Sequence, residues 1–351
     1  MTQQELLEYR FKNHLLCPNN KGQSTQEIVR YFGAIQAQNY TMAKWAIGSR
    51  LVNATNLKIE EDFNSNKILR THILRPTWHF VAPQDIRWML ALTAVRIKAG
   101  NKNHHQRLGI DYGILKRSKK SIQRALCGKR FQTRSELKKN FEKDHINCDD
   151  ERLGFLLMDA ELDGLICSAG NKGKEMLYGL LDEIVPKTKS LSRDESLMTL
   201  AQIYFNSRGP ATVYDFAWWS GLTIKDARKG IELSKELTFV YLEAQKYWFN
   251  RSLLHKHIVK RETIHLLPAF DEYLISYKDR SLMVENEDKG KIFTRNGIFK
   301  PTLIANGKVI GIWRKSIKNK EIIIDYFGSK NKLNLPLIKE IEDRYSYFIN
   351  H

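Results

Sequence analysis

Three times along this sequence, helical segments are followed by a short hairpin, an order that suits a string of small units better than one layered core. In the first copy, amphipathic stretches at 3–16, 25–34 and 42–51 predict helices. Ser24-Thr25-Gln26-Glu27 offers a capping box to the second, and Thr41 a cap to the third. The run ILRTHILRPTWHFV at 68–81 is rich in β-branched and aromatic residues and turns at Arg75-Pro76, with a further helix after it. The second copy reads as helices at 111–126, 135–141 and 151–162, then strands at 164–168 and 170–178 around a Gly/Lys-rich tip. In the third, helices at 194–208 and 213–219 lead through Ser220-Gly221 into a helix from 223, which presents Lys225, Arg228 and Lys229 outward. Strands at 239–242 and 247–249 complete this helix-turn-helix with a wing.

Beyond 261 the pattern changes to short strands at 263–267, 292–299, 301–305, 308–314 and 321–326, with Asn306-Gly307 as a type I′ turn and a closing helix at 335–348. The fold class expected is α+β: tandem winged-helix units at 1–105, 106–190 and 191–260, and a small β-rich C-terminal domain at 261–351. A length of 351 residues agrees with several small cores.

The partner is suggested by charge. Lys and Arg outnumber Asp and Glu by 57 to 39, a net +18 that favours an extended polyanion. The excess concentrates at 96–143, which makes Lys119 and Lys120 candidate phosphate contacts; a merely solvated basic helix face is the alternative. Cys17, Cys127, Cys148 and Cys167 are irregularly spaced, with no zinc-ligand pattern, so no metal and no cofactor are expected. No run of about 18 apolar residues occurs, which leads to the expectation of a cytoplasmic protein without a membrane partner.

Five blocks carry a resemblance: GAIQAQNYTMAKWAIGSRL (33–51), RTHILRPTWHFVAPQD (70–85), RGPATVYDFAWWSGL (208–222), LLPAFDEYLISYKDR (266–280) and PTLIANGKVIGIW (301–313). In this order they resemble the AlkZ-like DNA glycosylases. The resemblance implies tandem winged helices around a basic, DNA-holding concavity, and release of N-alkylated purines, in some members from interstrand crosslinks. It also implies a catalytic Gln-x-Gln or Gln-x-Asp motif, the former matched here by Gln36-Ala37-Gln38, and a motif position at His79, which would bind phosphate or orient water; a satisfied core histidine is the alternative reading of His79.

An amide is no general base, so the glutamines would place water and offer carbonyl oxygens to positive charge. That suits a purine already cationic, which leaves without acid catalysis. The expected enzyme is a monofunctional glycosylase on double-stranded DNA with alkylated bases, acting as a monomer and associated with the nucleoid when bound. Lys44, Arg50, Arg70 and Arg75, near the glutamines or the hairpin, are candidate phosphate contacts. Trp45, Trp218 and Trp219 read as core residues, and Asp271-Glu272 as a salt-bridging or loop-fixing pair rather than an acid/base couple. A non-catalytic winged-helix regulator shares everything but the glutamine pair.

Overall fold

The computed structural model describes the chain apart from residues 18–20, 188–189, 254–261, 295, 317–320 and 329–333. Four helices, rather than three, precede the first hairpin: Gln3–Asn13, Thr25–Phe32, Tyr40–Gly48 and Asn56–Asn64. Ser24 caps the second by accepting from the Glu27 peptide N–H, and Asn39, not Thr41, caps the third by accepting from that of Met42. The fourth escapes a periodicity reading because few apolar residues mark it. Ile59 and Phe63, one turn apart, are the side chains it buries in the core.

Among the described residues twelve strands form three sheets. β1 (Ala34–Gln36), β2 (Leu69–His72), β3 (Trp78–Val81), β4 (Gln132–Thr133), β5 (Ile166–Lys172) and β6 (Glu175–Leu180) make one sheet in the order β1-β3-β2-β5-β6-β4. The first two hairpins are therefore one surface, joined where Arg70 lies opposite Ser168. β7 (Leu237–Leu242) and β8 (Gln245–Asn250) stand as a separate hairpin. β9 (Ile264–Leu267), β10 (Thr302–Ala305), β11 (Lys308–Lys315) and β12 (Ile322–Tyr326) form the third sheet. Asn306 (φ 50°) and Gly307 (φ 85°) both take the positive φ that a type I′ turn demands. No strand forms among the described residues of 292–299, where one is expected from the sequence: the short helix Lys289–Ile292 ends there, and a bridge joins Phe293 to Phe299.

The apolar cores cross the segments drawn from sequence. Leu69, Val81 and Met89 pack in one cluster with Leu200, Phe216 and Tyr273, whereas Trp45 and Phe80 share another with Leu266, Trp313 and Phe348. Trp45 and Trp313 are buried with their indole N–H groups donated to the Leu266 and Leu267 carbonyls at 2.6 and 2.7 Å. Strand β9 is thus fixed from both sides, and the loop that follows it is carried against β1.

Candidate active site

β1 is an edge strand, and its short length follows from the glycine at its start and the bend at Gln38. In its antiparallel register Gln36 lies opposite His79, and His79 opposite Thr71 on β2, so the three side chains share one face of the sheet. Gln36 is buried, while Gln38 is exposed in the bend before helix Tyr40–Gly48. The structure thus brings Gln36 and His79 side by side.

Both glutamine amides are held by the hairpin. Arg75 Nη2 donates to Gln36 Oε1 at 3.1 Å, and the Trp78 peptide N–H donates to Gln38 Oε1 at 3.4 Å. Guanidinium only donates, so the oxygen of Gln36 must face Arg75. His79 Nδ1 lies 2.9 Å from the Thr77 carbonyl, an acceptor, which places the proton on Nδ1 and leaves Nε2 as a lone-pair acceptor. Nε2 is buried and has no hydrogen-bond partner among the described residues. Burial, reinforced by the charge of Arg75, pushes the His79 pKa down to about 3. The imidazole is neutral at working pH, which removes it as a cationic phosphate ligand and keeps it as a hydrogen-bond acceptor.

A carboxylate that sequence reasoning left outside the site lies directly behind it. Glu272 Oε1 accepts the Gln36 peptide N–H at 3.0 Å, on the free edge of β1. Its Oε2 accepts from Arg208 Nη2 (2.6 Å), Ser276 Oγ (2.9 Å) and Trp219 Nε1 (3.0 Å). Burial alone would raise the Glu272 pKa; the Arg208 charge and these hydrogen bonds outweigh it and hold the group below the usual carboxylate range. Arg208 also donates to the Phe32 and Ala34 carbonyls at 2.9 and 3.3 Å, so one ion pair clasps both ends of β1. Asp271 does not lie on a strand with Glu272 but caps the short helix Glu272–Ile275, and it binds Arg50 through two hydrogen bonds of 2.9 and 2.7 Å. The sequence signal for the clasp was there: Arg208, Trp219 and Glu272 all lie within the quoted blocks.

Helix Val213–Ser220 supports the turn of the hairpin. Gly221 (φ 69°) ends that helix, and a Cβ there would come within 2.2 Å of the Leu74 carbonyl oxygen, so only glycine lets Arg75 and its turn settle against it.

Several cations expected at the DNA surface are elsewhere. Arg50 is 1% exposed and locked to Asp271. Lys44 is buried against Glu60, and Arg70 donates from Nε to the Ala37 carbonyl at 3.1 Å with its guanidinium 4.3 Å from the Trp78 ring centre. A phosphate cannot reach these three without breaking buried polar contacts. Lys119 is tied to Asp159 and Asp163, whereas Lys120, Lys225 and Arg228 are exposed and have no ion pair among the described residues. Part of the basic segment is likewise engaged internally: Lys98, Arg107, Arg124 and Lys138 pair with acids. No group of His, Cys, Asp and Glu suited to a metal ion occurs among the described residues, and no helix among them is long and apolar enough to cross a membrane.

His14 and His265 share the fate of His79: burial lowers both pKa values well below 6.5, helped by Arg50 in each case. All three are neutral when folded and titrate near 6.5 when unfolded, so below that pH the unfolded chain binds more protons. Stability is complete above about pH 6.5 and falls as the pH drops, by about 1.4 kcal/mol per unit for each histidine. Urea midpoints between pH 7 and pH 5 check this; a flat profile would show that the three rings protonate in place.

Three comparisons with known proteins bear on the site. A family model described as DNA glycosylase AlkZ-like matches residues 29–321. The solved structure of Streptomyces sahachiroi DNA glycosylase AlkZ is similar with a TM-score of 0.85, at 20% identity, over 99% of this chain and 96% of that one. No curated protein matches the sequence. At that identity the structural likeness speaks for the fold, and the family model for the class of activity.

Proposed function

Since this chain belongs to the AlkZ-like DNA glycosylase family, we propose that it hydrolyses the N-glycosidic bond of cationic N-alkylated purines in double-stranded DNA, including those within interstrand crosslinks. The observation that carries this reading is the pairing of Gln36 with the neutral His79 across β1 and β3, behind an exposed Gln38. The base departs with the bonding electron pair and becomes neutral, water adds through oxygen at C1′, and its proton passes to solvent. No side chain here can take that proton at an early stage: amides are not bases, and a pKa of about 3 makes His79 a weak one. His79 Nε2 and the second lone pairs of the glutamine oxygens orient the water and face the developing oxocarbenium ion. Such a site acts only on leaving groups that depart unaided.

The reaction stops at the abasic site in this proposal. Among the described residues no lysine hydrogen-bonds to Gln36, Gln38 or His79, and Lys44, the nearest in sequence, holds Glu60, so no amine is placed there for Schiff-base chemistry. The segments 1–105, 106–190 and 191–260 are read as winged-helix units bearing the site, with 261–351 as a β-rich domain that closes on it. The enzyme would act as a monomer in the cytoplasm, bound to nucleoid DNA partly through Lys120, Lys225 and Arg228.

The purified protein is expected to release N7-methylguanine or N3-methyladenine from methylated duplex DNA without added metal. Chromatography of the released bases checks this. DNA binding without any base release would leave a regulator.

A further inference from the structure

The outer face of helix Val213–Ser220 has no role in the chemistry, yet it is made of residues that a nucleic acid recognises. Tyr214 and Trp218, one turn apart, are 43% and 44% exposed, unusual for rings so large beside a packed core. Each carries a cation from the segment after the Glu272 helix: Lys278 Nζ lies 5.7 Å from the Tyr214 ring centre, and the Arg280 guanidinium 5.6 Å from that of Trp218. The Trp218 indole N–H is donated to the Ile275 carbonyl at 3.1 Å, which fixes the ring in this pose.

This strip runs toward the glutamines, because the helix ends at Gly221, against which the turn of Arg75 is packed. Neither Lys278 nor Arg280 has an ion pair among the described residues. Asp215, a buried acid whose charge acts on Arg280, is occupied by Arg10, by Thr212 and by the peptide N–H groups of Lys278 and Asp279. Asp279 in turn accepts from Ser281. Arg280 Nη2 and Arg75 Nε are buried N–H groups without hydrogen-bond partners among the described residues. Burial, and with it the charge of Arg75, depresses the Arg280 pKa to about 10, against the pull of Asp215 and Asp279. Two like charges held near each other with unused donors call for an anion.

We infer that Tyr214, Trp218, Lys278, Arg280 and Arg75 form a track for the DNA strand flanking the target nucleotide, with phosphodiesters on the cations and a base or sugar against Trp218. The inference rests on the glycosylase reading only for the nature of the target. Phosphate contacts and aromatic stacking leave different signatures, which separates this track from a general basic surface.

The test is binding of the full-length protein to a labelled short duplex carrying a tetrahydrofuran in place of the damaged nucleotide, measured by anisotropy over a range of salt. Lys278→Gln and Arg280→Gln are each expected to reduce the slope of log K against log salt by about one. Trp218→Ala is expected to weaken binding about tenfold at the wild-type slope. Wild-type slope and affinity in Lys278→Gln and Trp218→Ala, both at exposed positions, would overturn the track. The uncleavable duplex keeps this independent of turnover: a protein that shows the pattern but releases no base retains the track and loses the glycosylase reading.

Discussion

Replacing Gln36 and Gln38 together by alanine is expected to lower base release from methylated duplex DNA by at least about 10²- to 10³-fold, the range for losing a group that stabilises transition-state charge. The double variant is the informative one, since groups that act on one water are far from additive. Folding should survive the change. Glu272 holds the peptide N–H of residue 36 rather than its side chain, so alanine keeps the clasp on β1. Arg75 loses an acceptor in the process, at a cost of about 1 kcal/mol. Gel assays of abasic-site formation, beside a thermal melt, separate chemistry from stability. Unchanged release in a well-folded double variant would remove the glutamines from the mechanism.

Arg208→Met is expected to destabilise the protein by about 3–5 kcal/mol, because Glu272 would remain buried and ionised with its charge partner gone. The Phe32 and Ala34 carbonyls lose donors at the same stroke. Urea unfolding measures the loss, and Glu272→Gln, which removes the charge but keeps hydrogen-bonding groups, should recover part of it in the Arg208→Met background. Base release by the single variant should fall even below its melting range, since β1 carries Gln36. A loss under about 1 kcal/mol would mean that water relaxes the buried pair and that the clasp contributes little.

Much of the candidate site was legible in the sequence. Gln36, Gln38 and His79 stand in quoted blocks, and the structure sets Gln36 against His79 in register. The helix cap at Ser24 was legible because it directly precedes an apolar period; the reading failed at Thr41, because Asn39 two residues earlier takes the cap first. The helix Asn56–Asn64 was illegible because two buried apolar residues are too few to set a period.

The cations show the boundary most clearly. From sequence, Arg50 and Arg70 are charged residues near the glutamines and therefore candidates for phosphate, whereas in the structure both are buried and spoken for. The partner of Arg50 is Asp271, 221 residues away, and nothing local to either residue records that meeting. The sequence by itself determined most of the helices and the hairpins, that the chain is strongly basic, and which blocks carry the family's motif, since those depend on near neighbours and composition. Only the tertiary structure decided which cations face solvent, which tautomer His79 adopts, and that Glu272 stands behind Gln36. Each of these turns on burial and on long-range pairing, where a few ångströms separate a neutralised ion pair from a free charge.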